Sequence, residues 1–264
     1  MTTSTEQAAA LLAQNRLRGE RLPELPAACR PAGEAAAYAM QLELREQLIG
    51  AGGGDLAGYK IGATSQVMQD YLDIHNPCGG GVLANGVHHS PAEVPYGGYV
   101  HPGVECEIAV QLAADLPAKA APFSQAQVAA AVGACMAAIE IVDDRYADWR
   151  SLDTPTLIAD DFFQAGIVLG PTNTDWRRLD LAALPGTMAI NGEERGRGLG
   201  GDVLGHPFTA LTWLANQLAA YGIGLQSGQV VLTGSVVATQ WVERGDRVRV
   251  DVEGLGAAEV VLHA

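Results

Sequence analysis

The chain has 264 residues, of which 48% are hydrophobic, so it can form one large domain or a small helical domain attached to a larger one. A formal net charge of -14 argues against nucleic acids and anionic membrane surfaces as partners, because both are bound through clustered Lys and Arg. No apolar run is long enough to span a bilayer, and the first residues lack the basic and apolar pattern of a secretory signal. We therefore expect a cytoplasmic globular protein.

Four cysteines are scattered along the chain without a CxxC pair: Cys29, Cys78, Cys106 and Cys135. This spacing indicates neither a disulfide framework nor a zinc site. We expect free thiols.

The first fifty residues show helical patterns. Thr3 and Glu6 have capping-box spacing before an Ala/Leu-rich stretch to about Arg18, and a second helix is predicted from about Gly33 to Ile49. A glycine-rich turn then follows. The sequence predicts a helical N-terminal segment over residues 1–54 and a catalytic domain over 55–264.

Residues beyond 55 show mainly short strand-like runs. The predicted strands are Tyr59–Gly62, Val104–Leu112, Ala137–Val142, Ala165–Leu169, Met188–Ile190, Val230–Thr233, Arg247–Val252 and Glu259–Leu262. Two helices are predicted among them, one from Ser124 towards Met136 and one from His206-Pro207 to Gly222. Regular alternation of strands and helices is absent, so an α+β fold with a mixed, curved sheet is favoured over a doubly wound sheet.

Two glutamates are two residues apart in one predicted strand. Glu105 and Glu107 therefore point to the same face, among apolar neighbours that indicate a strand covered on both sides. Adjacent buried carboxylates repel each other and are costly to desolvate, and a divalent cation removes both problems. The alternative is that both face solvent on an outer strand.

A third glutamate, Glu140, lies in the almost wholly apolar run Ala137–Val142. Three carboxylates without His or Cys form an all-oxygen set, which suits Mg²⁺, Mn²⁺ or Ca²⁺ rather than zinc. The remaining coordination positions would be open to water and to a chelating α-keto acid, whose enolate the metal would stabilise.

Lys60 lies in a short strand between Gly58 and Gly62 and is the candidate proton carrier. Burial near a metal is expected to lower its pKa, which would let it donate and accept protons near neutrality. The alternative is an ordinary surface lysine.

The chain resembles the 2-oxopent-4-enoate hydratase and 4-oxalocrotonate decarboxylase family of the fumarylacetoacetate hydrolase superfamily. The matching pieces are Tyr59–Ser65, Glu105–Ala109, Ala138–Asp143 with Arg145 and Trp149, Ile158–Asp160, Val203–Pro207 and Val231–Ser235. The resemblance implies the superfamily's mixed sheet with a helical N-terminal part, Mg²⁺ or Mn²⁺ on the three glutamates, Lys60 as acid/base, and a homo-oligomer. It also implies substrate contacts at Asp160, Asp161, Cys78, Arg145 and Thr233.

Two segments differ from the family pattern. Pro77-Cys78 and three glycines replace a Pro-Asp-aromatic-Gly turn, so an aspartate is missing. Asp161 replaces an amide, and Phe162 and Phe163 replace small residues. If these segments line the pocket, as the resemblance implies, one wall gains room and loses a charge while another gains two rings, and we expect a preference for a neutral, bulkier tail over a second carboxylate. The alternative is that both rings pack into the core and Asp161 faces water, which would leave the specificity unchanged.

The leading hypothesis is a metal-dependent hydratase of a 2-hydroxy-dienoate or 2-oxo-enoate in aromatic-compound catabolism. Alternatives are decarboxylation of a 2-oxo-enedioate and C–C hydrolysis of a dioxo acid, for which His75 beside Asp73 could activate water. A non-catalytic homologue is a further alternative, and the retained carboxylates argue against it.

Overall fold

The computed structural model of the protein describes residues 4–22 and 24–264, and thus leaves Thr3 of the predicted capping box outside the described residues. Within these ranges there are six α-helices: α1 (Ser4–Arg18), α2 (Glu34–Leu48), α3 (Gln66–Leu72), α4 (Gln125–Ala131), α5 (Thr154–Ala159) and α6 (Pro207–Ala220). None of the helices in these ranges combines the length and apolar character needed to cross a membrane.

Thirteen strands occur in the same described ranges. They are β1 (Leu56–Gly62), β2 (Cys78–Leu83), β3 (Val87–His89), β4 (Ala92–Pro95), β5 (Pro102–Leu112), β6 (Val132–Asp143), β7 (Gln164–Leu169), β8 (Pro185–Ile190), β9 (Glu193–Leu199), β10 (Val230–Ser235), β11 (Gln240–Trp241), β12 (Arg247–Val252) and β13 (Gly256–His263). All eight predicted strands are present, and Arg247–Val252 has the predicted bounds.

The strands form two sheets, which confirms the predicted α+β fold. The larger sheet has the order β2-β1-β10-β5-β6-β7-β3, with β11 also paired to β5, and the smaller has the order β4-β13-β12-β8-β9. Both are mixed, because β1 pairs with β10, β3 with β7 and β4 with β13 in parallel. The larger sheet curves until β2 approaches β7, and we call this junction the seam.

The central strands β5 and β6 are buried on both faces. Cys106 and Ile108 belong to the core that includes Val248 and Val250 of the smaller sheet. On the other face, Ala109 packs in a second group of buried apolar side chains inside the curve of the larger sheet. A polar side chain on that inner face is therefore removed from solvent.

The N-terminal helices share a core with the rest of the chain. Leu12 of α1 and Leu44 of α2 are buried with Cys78, Tyr146 and Leu157. The helices occupy the segment predicted to be helical, and the division at residue 54 stays a prediction.

One prediction of local structure is wrong. The helix opened by Ser124 ends at Ala131 rather than near Met136, because residues from Val132 onward pair with β5. The glycine run from Gly79 to Gly81 lies within strand β2. A Cβ on Gly81 would lie 2.5 Å from Nε of Arg45, so the space left by the missing side chain is filled by a guanidinium group.

Candidate metal centre and active site

The register of four adjacent strands brings the predicted catalytic side chains together. Glu105 of β5 lies directly opposite Glu140 of β6, and residues opposite each other in a sheet project from the same face. Lys60 of β1 pairs with Leu232 of β10, which in turn pairs with Ala109 of β5. Lys60 and the glutamates therefore share the inner face of the larger sheet.

The acidic cluster consists of Glu105, Glu107 and Glu140, and one carboxylate oxygen from each lies within 4.8 Å of the others. Two atoms that both bind a cation at up to about 2.4 Å can be at most about 4.8 Å apart, so this spacing fits one shared ion. Glu107 and Glu140 are completely buried, and Glu105 is partly buried. The solvent-facing alternative for the pair on β5 does not hold.

Each glutamate is oriented by a different neighbour. Lys60 Nζ lies 2.9 Å from Glu140 Oε1, and Gly234 N–H donates to Glu107 Oε2 at 2.7 Å. Thr239 Oγ1 donates a short hydrogen bond to Glu105. Gly234 has φ +120°, and a Cβ there would lie 2.2 Å from Thr64 Oγ1, so only glycine brings this N–H to Glu107.

The acidic cluster lacks enough positive charge of its own. Three carboxylates face the single ammonium of Lys60, which leaves two negative charges in excess. Glu107 Oε1 and Glu140 Oε2 are buried and accept no hydrogen bond from the described residues. One divalent cation would compensate the charge and supply the missing contacts, so the residues fit a divalent-cation site.

The electrostatics of the cluster follow from burial and mutual repulsion. Burial, together with the charges of Glu140 and Glu105, raises the pKa of Glu107 well above its usual value. Burial likewise raises the pKa of Glu140 to about 7, although Lys60 opposes the shift.

The sequence predicted a lowered pKa for Lys60, and the structure shows a raised one. Burial does lower it, but attraction by Glu140 and Glu105 outweighs that effect. The raised value thus depends on carboxylates whose charge is uncompensated.

Lys60 and Glu105 lie on the wall of a cavity of about 450 Å³, the catalytic cavity. Its remaining lining is mostly apolar, and in the described part of the chain Lys60 is the only cationic residue that lines it. Phe162 and Phe163 both line it, as the sequence analysis expected, and the Phe162 ring centroid lies 5.3 Å from Lys60 Nζ. Other aromatic lining comes from Trp149 and Trp241.

The structure does not bring the five predicted substrate contacts to the lining of the catalytic cavity. Cys78 is fully buried in β2, and Thr233 is fully buried and donates to Ile108 O at 2.8 Å. Asp160 is bound by Arg145 and by Arg16 of α1, and Asp161 also pairs with Arg16.

Arginines dominate the surroundings of Asp160. Arg16 Nε donates to it at 2.6 Å, while Arg145 Nε and the Tyr146 hydroxyl donate to it at 3.0 Å. Burial alone would raise the pKa of Asp160, but Arg145 and Arg16 lower it below the usual value. Asp160 and Arg145 are thus paired with each other, and their contact with substrate stays a prediction.

The hydrogen bonds of Asp161 hold the turn that carries the two phenylalanines. Its carboxylate accepts from Gly81 N–H at 2.9 Å and from Arg16 Nη1 at 3.0 Å. Asp161, Phe162 and Phe163 have φ values of 53°, 50° and 68°. Residues other than glycine rarely adopt this left-handed backbone conformation. These hydrogen bonds therefore hold the turn that carries the aromatic wall of the cavity.

Nothing in the sequence indicates that some of the lining residues belong to the cavity. Thr239, Asp202 and Val237 lie far along the chain from the glutamates and reach the catalytic cavity only through the fold. His75, which would have served a C–C hydrolase, is exposed and does not line this cavity.

Comparison with known proteins identifies the family and the fold. A family model described as the C-terminal domain of fumarylacetoacetate hydrolase matches residues 83–262. The chain belongs to the fumarylacetoacetate hydrolase family. The resemblance inferred from the sequence motifs is thereby confirmed.

Its relatives include hydratases of short unsaturated 2-oxo acids. The chain is 37% identical to 2-hydroxyhexa-2,4-dienoate hydratase of Comamonas testosteroni, over 83% of this chain and 81% of the relative. It is 36% identical to 2-keto-4-pentenoate hydratase of Paraburkholderia phymatum, over 96% and 95%. A solved structure, 4-oxalocrotonate decarboxylase from Pseudomonas putida G7 complexed with magnesium and adipate, has a TM-score of 0.89 and 26% identity and covers 97% of this chain and 96% of its own.

Proposed function

We propose that the protein is a divalent-cation-dependent hydratase that adds water to a 2-hydroxy-dienoate or its 2-oxo-enoate form in aromatic-compound catabolism. The observation that carries the proposal is the acidic cluster beside Lys60 at the wall of an apolar cavity. The named activities of relatives with 37% and 36% identity support it.

Glu105, Glu107 and Glu140 would hold the cation, with Mg²⁺ or Mn²⁺ as the proposed ion. When bound, it would supply Lewis acidity that polarises the 2-oxo group and favours the enolate. Lys60 would carry the proton during conversion of the dienol to its keto form, because this residue lines the catalytic cavity and Glu140 holds its Nζ in place. Water then adds to the conjugated alkene.

Decarboxylation of a 2-oxo-enedioate is a second candidate, supported by the similarity to 4-oxalocrotonate decarboxylase. The lining of the catalytic cavity argues against it. A second substrate carboxylate would lie among apolar side chains, and, of the described lining residues, Lys60 alone could pair with it. A neutral tail fits better.

The experiment is a substrate panel assayed with Mg²⁺ and with chelator. The panel contains 2-hydroxypenta-2,4-dienoate, its tail-extended analogues, 2-oxo-enedioates and dioxo acids, and the products are identified by mass. Products heavier than substrate by one water, formed only with the cation, support the hydratase. Loss of CO₂ would support the decarboxylase, and cleavage into two acids would support the C–C hydrolase.

We also propose a cytoplasmic homo-oligomer, on the family resemblance. The mass of the native protein, measured by sedimentation equilibrium, tests the assembly. A monomer at micromolar concentration would contradict it.

A further inference from the structure

A second cavity of about 280 Å³ lies at the seam of the larger sheet. Three arginines line it, Arg16 from α1, Arg45 from α2 and Arg145 from the loop after β6. It shares no lining residue with the catalytic cavity. Whatever enters it does not reach the acidic cluster directly.

Arg45 is the unusual member of this set. Only 5% of the residue is exposed, and its Nε has no hydrogen-bond partner among the described residues. Its Nη2 donates to Gln41 Oε1 at 3.2 Å, and its guanidinium carbon lies 5.3 Å from the centroid of the Tyr59 ring. No carboxylate in the described part of the chain lies within ion-pair distance of it.

The carboxylates around the second cavity are already engaged elsewhere. Asp161 accepts from Arg16 and from Gly81 N–H. Asp143 accepts from the backbone N–H groups of Val100 at 2.9 Å and His101 at 2.7 Å. Of the three arginines that line the second cavity, Arg45 is thus the one without a counter-charge among the described residues, and a guanidinium stays protonated in proteins.

Burial of an uncompensated cation is costly, and an anion beside it recovers that cost. A guanidinium presents N–H donors in a planar fork that matches the oxygens of a carboxylate or phosphate. The second cavity, at about 280 Å³, has room for a small anion with some of its hydrating water.

We propose that the second cavity binds a small oxyanion, with Arg45 as its principal ligand and Arg16 and Arg145 at its margin. The site stands on its own geometry and does not depend on the proposed hydratase activity. Asp161 lies in its lining, and the next residue in the chain, Phe162, lines the catalytic cavity. An occupied second cavity therefore adjoins the turn that shapes the active site.

The test is calorimetric titration of the Mg²⁺-loaded protein with sulfate and, separately, with acetate. Sulfate represents tetrahedral oxyanions and acetate represents planar carboxylates, so the two titrations show which class of anion the site prefers. We expect at least one probe to bind saturably at one site. Arg45→Met should weaken that binding at least tenfold, while Arg197→Met, a change at an exposed arginine, should leave it unchanged.

Lys60→Met separates the two cavities. Binding that persists both in Lys60→Met and in the unmodified protein freed of Mg²⁺ places the anion outside the catalytic cavity, and binding lost in either would overturn the proposal. Equal affinity in Arg45→Met and the unmodified protein would also overturn it. If Arg45→Met does not fold, Arg45→Lys keeps the charge but loses the fork, and an unaltered affinity in that variant counts against the site. Absence of saturable binding of either probe to the unmodified protein rejects the proposal without any variant.

Discussion

Two groups of buried carboxylates in this chain differ in the charge that surrounds them. Asp160 accepts hydrogen bonds from two arginines and a tyrosine, and its pKa lies below the usual value. In the acidic cluster, Glu107 and Glu140 face one lysine, and their pKa values are raised. Sufficient internal counter-charge marks a structural ion pair, and a deficit of two charges marks a site for a divalent ion.

Removing a carboxylate from the acidic cluster tests this comparison most directly. Glu107→Gln should abolish the stabilisation of the protein by Mg²⁺, because it removes one of the three carboxylate ligands. Mg²⁺ at a hundred times its dissociation constant is expected to stabilise the unmodified protein by about 2.7 kcal/mol and the variant by almost nothing. Thermal unfolding with and without Mg²⁺ measures this, with Glu93→Gln at an exposed site as the control. Equal stabilisation of Glu107→Gln would show that the ion binds elsewhere.

Removing the lysine of the cluster should affect turnover rather than binding of the ion. Lys60→Met should lower kcat roughly 10²–10⁴-fold, as for other general acid/base groups, and leave the affinity for Mg²⁺ nearly intact. The chain has one other lysine, the exposed Lys119, so Lys119→Met is a matched control. Steady-state rates on the preferred dienoate decide the matter, and unchanged kcat in Lys60→Met removes this residue from the mechanism.

Disruption of the ion-pair network around Asp160 should lower the free energy of unfolding and should leave the stabilisation by Mg²⁺ unchanged. Asp160→Asn leaves buried arginines short of a counter-charge and should cost about 3–5 kcal/mol in the free energy of unfolding. The folded pKa of Asp160 is lowered, so its stabilisation is present above the unfolded pKa of about 3.9 and is lost as pH falls through the folded value.

Denaturant unfolding from neutral pH downward measures the difference between Asp160→Asn and the unmodified protein. Asp55→Asn, at an exposed position, serves as the control. A difference that grows on acidification would contradict the assigned direction.

The smallest expected effect concerns the aromatic wall that the Asp161 hydrogen bonds hold. Phe162→Ala should change the ratio of kcat/KM between tail-extended and short dienoates by about tenfold, in favour of longer tails, because it enlarges an apolar cavity. Phe123→Ala is a matched control, since both side chains belong to residues that are 7% exposed and Phe123 does not line the cavity. An equal change in both variants would assign the effect to general destabilisation.

The sequence was sufficient to predict the strands that carry the glutamates and their common face. The alternation of β5 places Glu105 and Glu107 together, and this depends only on local geometry. The proximity of Glu140 and Lys60 depends on strand register, which the motif resemblance supplied. The pairing of Asp160 and Asp161 with Arg16 could not be predicted, because Arg16 lies 144 residues from Asp160 along the chain. No feature of the sequence distinguishes Arg16 from the other arginines of the predicted helices.

The glycine run of β2 shows the same limit. Loss of side chains at Gly80 and Gly81 was expected to enlarge the pocket, yet the structure fills that space with the backbone of Asp161 and the guanidinium of Arg45. Composition reveals that volume is missing but not which distant segment occupies it.

The residues of the proposed cation site come from segments that are far apart in the chain, with Lys60 on β1, the glutamates on β5 and β6, and Gly234 on β10. The pairing of β1 with β10 alone joins residues on either side of most of the sequence. Closing such long loops is slow and becomes favourable only when the sheet is nearly complete. A partly folded chain therefore cannot hold the ion in this geometry, and binding of a luminescent lanthanide in place of the natural cation should appear only as the last strands pair. Lanthanide luminescence would therefore measure how much of the chain has folded completely.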